Sequence, residues 1–281
     1  MSCEQRKLED YGFDTDNRAY VIAEIGINHG GDLDTAKRLV DSASVTGVDA
    51  VKFQTYITEK RVSVDSPIFD ILKKCELSFK DFKMLKEHTE QYDMEFFSTP
   101  FDEDSVDFLE DIGCNMYKVS SFDVTNQKLL SKIADTGKAV VMSTGMANLD
   151  EIKEAYNILK SGTDKIAILH CVSAYPTKEE DANLAAICTL KSEVECIVGQ
   201  SDHTNDITVP IYAVIAGAQI IEKHYMVNNE MNCVDAPVSI TEDQMKKLVN
   251  EIERVVRIFG KGIVGSSEPQ KACEIFRRNS K

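Results

Sequence analysis

Long apolar runs are missing from this sequence of 281 residues. The longest, residues 166–169 and 211–216, fall far short of the ~20 residues that a membrane-spanning helix needs. The polar, acidic start of the chain, residues 1–16, also lacks the apolar segment of a signal peptide. We therefore predict a cytoplasmic protein with no membrane partner.

Positive charge is scarce as well: 32 Lys and Arg stand against 47 Asp and Glu, which gives a net charge of −15. This balance argues against binding nucleic acid through a broad basic surface, so an anionic substrate would need a local cluster of lysines. The eight cysteines include no CxxC pair. In a chain of this size we interpret them as reduced thiols rather than as a disulfide framework.

Short apolar runs alternate with amphipathic helical stretches along most of the chain. The clearest helix is 241–259, where Thr241 and Gln244 form a capping box and apolar residues follow at helical spacing. Eight runs are predicted as strands, at residues 20–25, 50–56, 95–98, 116–119, 139–143, 165–172, 196–199 and 219–224.

Apolar strands that alternate with helices indicate a parallel sheet covered on both faces. A closed barrel and an open doubly wound sheet both fit, and the count of eight favours an α/β fold of the (β/α)8 TIM barrel type. We divide the chain into an N-terminal extension (1–17), the barrel (18–260) and a polar C-terminal tail (261–281). A longer connection, 57–77, follows the second strand.

Polar side chains stand at the C-terminal ends of all eight predicted strands, where TIM barrels carry their active sites. At one strand such residues can simply mark the exit to solvent, but eight strands together favour a functional site. The residues are Glu24, Lys52, Gln54, Thr99, Lys118, Ser121, Ser143, Thr144, His170, Ser173, Tyr175, Ser201, Asp202, His203, Glu222, Lys223 and His224.

The residue types suggest a metal and an anion. His203 and His224 end adjacent strands and could share one ion, or each could be a hydrogen-bonding loop residue. Lys52 and Lys118 could neutralise a phosphate or carboxylate beside nearby hydroxyls, or form salt bridges at the barrel mouth. Glu24 is a candidate acid, base or sugar-hydroxyl acceptor, or else a partner of Lys52.

Seven segments in colinear order resemble the sialic acid (N-acetylneuraminate) synthase and nonulosonate synthase family. The first, 23–56, begins AEIGINHGG and is highly specific when combined with SDHT and EKHY. The others are STPFD (98–102), YKVSS (117–121), MSTGMA (142–147), LHCVSAYP (169–176), SDHT (201–204) and EKHY (222–225).

This resemblance implies a transferase that condenses phosphoenolpyruvate with an N-acylated amino-sugar aldehyde, giving a nonulosonic acid and phosphate. The aldehyde would be N-acetylmannosamine or a diacetamido hexose. The resemblance also implies a homodimer and a C-terminal antifreeze-like domain. On this resemblance 261–281 would be the linker to that domain, and we expect the domain itself to be missing, either because the chain is shortened or because the natural protein lacks it.

Site roles follow from the same resemblance, position by position. His203 and His224 match ligands of a divalent metal, with manganese expected first and magnesium or cobalt as alternatives. Catalytic positions are Glu24, Lys52, Lys118 and Asp123. Substrate-binding positions are Gln54, Thr99, Ser121, Ser143, Thr144, Ser173, Tyr175, Ser201 and Asp235.

Three departures from the N-acetylneuraminate branch leave the acceptor open among sialic, legionaminic and pseudaminic precursors. Phe122 and Asp123 replace Gly-Glu, Ser173 replaces Asn, and 226–239 lacks a Gly-Pro-Asp sequence. Two other functions stay open. One is a Schiff-base pyruvate aldolase or lyase in which Lys118 or Lys52 attacks a carbonyl, and the other is a non-catalytic sugar-binding barrel.

Overall fold

Eight parallel strands close into a barrel in chain order, with the first strand pairing with the last. This computed structural model describes residues 7–13, 19–260, 262–265 and 267–278. The predicted TIM barrel is confirmed. The strands are β1 Tyr20–Gly26, β2 Ala50–Thr55, β3 Glu95–Pro100, β4 Met116–Val119, β5 Ala139–Ser143, β6 Ile166–Cys171, β7 Ile197–Asp202 and β8 Ile220–His224.

Helices cover the outer face of the barrel, and several begin at side chains that cap them. Asp32 accepts the backbone N–H of Thr35, and the predicted capping box of Thr241 and Gln244 is present. The helices are α1 Leu33–Ser44, α2 Thr58–Arg61, α3 Phe69–Cys75, α4 Phe79–Thr89, α5 Glu103–Asp111, α6 Gln127–Ala134, α7 Leu149–Lys160, α8 Ala185–Glu193, α9 Thr208–Ile215 and α10 Glu242–Phe259.

The long connection after β2 is built from the short helices α2 and α3. A small cluster of buried side chains holds it against the barrel mouth, made of Ile27, Tyr56, Leu72 and Cys75. The Tyr56 hydroxyl donates to the Leu72 carbonyl at 2.9 Å, which ties the start of the connection to α3. This connection therefore forms one wall above the C-terminal ends of the strands.

The opposite end of the barrel is closed by the N-terminal segment. Phe13 is fully buried and its ring lies 5.3 Å from that of Tyr20, while Leu8 packs into the same cluster. Of the predicted extension 1–17, residues 1–6 and 14–17 lie outside the described residues. The described parts of the tail, 262–265 and 267–278, are exposed.

Within the described chain, no helix is long and apolar enough to cross a membrane.

Candidate active site

A cleft of about 360 Å³ lies at the C-terminal ends of the barrel strands. Residues distant in sequence meet here because all eight parallel strands end at this face. Twelve of the fifteen predicted site residues line it: Glu24, Lys52, Gln54, Thr99, Lys118, Ser121, Ser143, Tyr175, Ser201, His203, His224 and Asp235.

Two buried lysines share one carboxylate on the floor of the cleft. The Nζ atoms of Lys52 and Lys118 each lie 3.7 Å from an oxygen of Glu222. Burial opposes ionisation of Glu222, but the two ammonium groups outweigh it and lower its pKa to about 2. Glu222 is therefore a counter-ion that both lysines share.

The lysines differ in their other contacts. Lys52 also lies 2.6 Å from Glu24, and although burial lowers its pKa, Glu222 and Glu24 raise it above its usual value. Burial lowers the pKa of Lys118, which donates to the Ser143 hydroxyl at 2.7 Å. Both ammonium groups thus sit among hydroxyls and carboxylates in a nearly dry site.

Three hydroxyl groups surround these charges. Lys52 donates to Thr99 Oγ1 at 3.2 Å, and Ser201 donates to Glu222 at 2.9 Å. Together with Ser143, these hydroxyls come from three strands, β3, β5 and β7, and all lie beside the lysine pair. Such a set of donors suits an anion that carries several oxygens.

A hydrogen-bonded chain runs from Lys52 to the wall formed after β2. Gln54 Nε2 donates to Glu24 Oε1 at 3.1 Å, and Arg61 Nη1 donates to Gln54 Oε1 at 3.2 Å. Burial raises the pKa of Glu24, while Lys52 acts in the opposite direction. Glu24 therefore occupies the boundary between the lysine pair and the outer cleft.

The two histidines lie side by side, with ring centroids 5.4 Å apart. His203 Nδ1 lies 2.8 Å from the Val172 carbonyl, which can only accept, so Nδ1 is the donor in this contact. His224 Nδ1 lies 3.4 Å from a carboxylate oxygen of Asp235. A carbonyl or carboxylate behind each ring is the arrangement usual for metal-binding histidines.

Tyr175 covers the histidines. Its ring centroid lies 4.2 Å from that of His203 and 6.1 Å from that of His224, and the residue is 49% exposed. Across the described part of the chain, no three His, Cys, Asp or Glu side chains are grouped to hold an ion by themselves. An ion here would therefore have two protein ligands and open positions for water or substrate.

Three predicted residues do not line this cleft. Asp123 is partly buried and accepts from the Ser120 hydroxyl at 2.7 Å, so it caps the turn after β4. Thr144 donates to the Leu169 carbonyl at 3.0 Å. Thr144 and Ser173 instead line a second cavity of about 700 Å³ beside α7 and α8, whose walls are mostly apolar and neutral.

Several residues that line the cleft had no predicted role. Glu222 stands at a strand end within EKHY, so its position was visible but its bridging of two lysines was not. Cys171 ends β6 with its sulfur 3.8 Å from His203 Nδ1. Arg61 belongs to the connection after β2, and no strand pattern points to it.

Comparisons with known proteins show which proteins this chain is similar to. N,N'-diacetyllegionaminic acid synthase of Campylobacter jejuni is 37% identical over 93% of this chain and 84% of its own length. Pseudaminic acid synthase of Campylobacter jejuni is 29% identical over 95% of this chain and 82% of its own length. The crystal structure of sialic acid synthetase from Leptospira borgpetersenii has a TM-score of 0.90 at 40% identity, covering 93% of this chain and 92% of that one.

The family model described as NeuB family matches residues 39–264. This range holds seven of the eight barrel strands and nearly every residue that lines the cleft. The predicted relationship to nonulosonate synthases is confirmed, and with it the prediction that the chain is an enzyme. The chain belongs to the NeuB family.

Proposed function

We propose that this enzyme condenses phosphoenolpyruvate with an N-acylated amino-sugar aldehyde to give a nonulosonic acid and phosphate. The observation that carries the proposal is the pair of buried lysines in the same cleft as the two adjacent histidines. The named synthases among the relatives support the product class. We also propose that the enzyme acts in the cytoplasm as a homodimer.

Lys52 and Lys118 would hold the phosphate and carboxylate of phosphoenolpyruvate. Glu222 lies 3.7 Å from both ammonium groups, close enough to balance charge but too far for hydrogen bonds. Among the described residues, Lys52 bonds Glu24 and Thr99, and Lys118 bonds Ser143 and the Val119 carbonyl, so one of the three N–H donors of each lysine is left for an incoming anion. The hydroxyls of Thr99, Ser143 and Ser201 would bind the remaining oxygens.

His203 and His224 would hold a divalent metal ion, for which manganese is our first choice. When bound, such an ion acts as a Lewis acid toward a carbonyl oxygen. The residues fit this role because His203 Nδ1 bonds the Val172 carbonyl, while among the described residues the buried His224 Nδ1 has no hydrogen-bond partner and faces a carboxylate oxygen of Asp235 at 3.4 Å. Magnesium and cobalt are the alternatives.

The acceptor would lie between the histidines and Glu24. Glu24 and Asp235 can accept hydrogen bonds from sugar hydroxyls, and the Tyr175 ring can cover the bound sugar. C3 of phosphoenolpyruvate attacks the aldehyde carbon, and the aldehyde oxygen takes up a proton. Water then adds at C2, and the bond between C2 and the phosphate oxygen breaks.

The proposal is tested by incubating the chain with phosphoenolpyruvate, manganese and a panel of N-acetylmannosamine and diacetamido hexoses. We expect phosphate release together with a product whose mass equals both substrates plus water minus phosphoric acid. Chelation should abolish turnover, and His203→Ala should weaken manganese binding. Full activity in a sample shown to be free of metal would overturn the metal assignment.

A parallel sample separates this reaction from Schiff-base chemistry. Borohydride added with pyruvate would leave a covalent adduct on a Schiff-base aldolase, because an imine at Lys118 or Lys52 would be reduced. We expect the mass of the chain to stay unchanged. A trapped adduct at either lysine, without phosphate release on any acceptor, would overturn the proposed condensation.

A further inference from the structure

Arg61 lies in the wall of the cleft, at the end of α2, and has no role in the reaction proposed above. Its guanidinium carbon lies 3.5 Å from the ring centroid of Phe101 and 4.6 Å from that of Tyr56. The two rings are nearly perpendicular to each other, at 80°, so contact with both restricts where the guanidinium can lie. Arg61 is therefore pre-positioned although it belongs to a connection rather than to a strand.

Its hydrogen-bonding capacity is mostly unused. Of five N–H donors, one is engaged within the described parts of the chain, by Gln54 Oε1 at 3.2 Å. Among the residues that the structure describes, no carboxylate oxygen lies within 4.0 Å of this guanidinium. The neighbouring Lys60, on the same four-residue helix, forms an ion pair with Asp104 instead. Arg61 thus lines a cleft with donors to spare in a strongly acidic protein.

The position of Arg61 relative to the lysine pair indicates which substrate it meets. Gln54 and Glu24 lie between Arg61 and Lys52 in one hydrogen-bonded chain. The two buried lysines already supply the site for a small polyanion. Arg61 is therefore separated from that site and faces the outer part of the cleft, where the second substrate has to enter.

Apolar side chains share this outer part of the cleft. Ile68 and Phe122 line it while being 46% and 64% exposed, and Ile27 lines it from the loop after β1. A fixed hydrogen-bond donor beside small apolar surfaces matches a group with an oxygen and a methyl. The N-acyl group of an amino sugar has this composition.

We propose that Arg61 is a specificity-determining residue that binds the carbonyl oxygen of the acceptor's N-acyl group. The assignment rests on the proposed function for the identity of the acceptor. In this arrangement the guanidinium donates to the acyl oxygen, and Ile68 and Phe122 contact the acyl methyl. A sugar that carries a hydroxyl in place of the acylamino group would lose both contacts.

The test uses alditols, which lack the aldehyde and cannot react, so binding is measured without turnover. N-acetylmannosaminitol, the alditol of a diacetamido hexose, and mannitol are titrated into the full chain by calorimetry with phosphoenolpyruvate present. We expect Arg61→Met to weaken binding of the acylated alditols roughly 10- to 100-fold, the range for losing one charge-assisted hydrogen bond. Binding of mannitol and of phosphoenolpyruvate should not change.

Lys60→Met is the matched control, because it removes one positive charge from the same helix outside the cleft. It should bind every ligand as the wild type does, and Arg61→Lys should fall between the wild type and Arg61→Met. The proposal is overturned if Arg61→Met binds acylated alditols with wild-type affinity. It is overturned as well if the affinities for acylated alditol and mannitol fall equally, or if only the affinity for phosphoenolpyruvate falls. It is also overturned if the wild type binds neither acylated alditol.

Failure of the reaction itself would look different. A wild-type chain that binds an acylated alditol through Arg61, yet releases no phosphate with any acceptor, would overturn the proposed condensation and keep the Arg61 assignment. Unchanged melting temperatures in Arg61→Met and Lys60→Met would show that both variants are folded. A lower melting temperature in Arg61→Met with unchanged alditol affinity would show that Arg61 stabilises the wall of the cleft and does not bind the acceptor.

Discussion

Lys118 places a positive charge in a nearly dry site, which makes its replacement informative. Its ammonium lies 2.7 Å from Ser143 Oγ and 3.7 Å from Glu222. We expect Lys118→Met to weaken phosphoenolpyruvate binding by about 1.5–3 kcal/mol, the cost of one lost charge-assisted hydrogen bond. Calorimetric titration measures this, with Lys128→Met as the control because Lys128 is exposed and pairs with Glu103. A change confined to sugar affinity would contradict the assignment.

His29 should make the protein sensitive to mild acid. The ring is buried, its Nδ1 accepts the backbone N–H of Gly31 at 3.1 Å, and burial lowers its pKa to about 4. In the unfolded chain this histidine takes up a proton near pH 6.5. The free energy of unfolding therefore has its full value above that pH. It decreases as the pH falls toward 4, by about 3 kcal/mol in total.

The variant His29→Gln keeps an acceptor but cannot be protonated in this range. Its free energy of unfolding in urea should therefore vary less between pH 6.5 and pH 4 than that of the wild type. His88→Gln, at a partly exposed histidine beside Asp41, should keep the wild-type loss. Parallel curves for the wild type and His29→Gln would show that His29 is not the group responsible.

The candidate site shows which residues can be predicted from a sequence and which cannot. Lys52, Lys118 and His224 lie within strands that the apolar runs predict, and His203 directly follows one, so the closed barrel brings the four together. Arg61 belongs to a four-residue helix with too few apolar positions for a periodic signal. Its place in the cleft depends on packing against Tyr56 and Phe101, which are distant from each other in sequence.

Three residues were predicted to lie in the cleft and do not line it: Asp123, Thr144 and Ser173. Each follows a strand end, as the cleft residues do, but a residue just beyond a strand can point inward, outward or along the turn. Asp123 accepts from Ser120 and Asn126 in its own turn. Local hydrogen bonds of this kind compete with a role in the cleft, and sequence position does not reveal which one prevails.

Between β7 and β8, a buried ion pair lies directly behind the two histidines. Asp202 and Lys223 are partners in the strand register, and their charged atoms lie 2.6 Å apart. Each immediately precedes a histidine, at His203 and His224. Successive residues of a strand point to opposite faces. The two histidines point into the barrel, so the ion pair lies on the outer face and joins the same two strand ends.

We expect Lys223→Met to cost about 3–5 kcal/mol, because Asp202 keeps its hydrogen bonds from Thr204 and Gln200 but is left buried without a countercharge. The double variant Asp202→Asn, Lys223→Met removes both charges and should recover most of that loss. Urea unfolding gives the stabilities, and manganese titration should show weaker binding in the single variant. A single variant as stable as the double would contradict this account of the pair.

At the scale of the whole molecule, the N-terminal segment closes the end of the barrel opposite the cleft. Phe13 is 0% exposed there, so Phe13→Ala should destabilise the protein by about 3–5 kcal/mol. The KM for either substrate should stay unchanged, since this cluster lies at the other end of the strands. Phe276→Ala, at a 75% exposed phenylalanine, is the control. A large rise in KM for Phe13→Ala would mean that the two ends of the barrel are coupled.

The pairing of β1 with β8 has a consequence for how the enzyme is made. Glu24 on β1 is in register with His224 on β8, so neighbours in the cleft come from opposite ends of the barrel sequence. Contacts between such distant segments form slowly, because a long loop has to close first. A chain still being synthesised therefore has no complete site until β8 has emerged and joined β1. On refolding, activity should return only as fast as β1 and β8 pair.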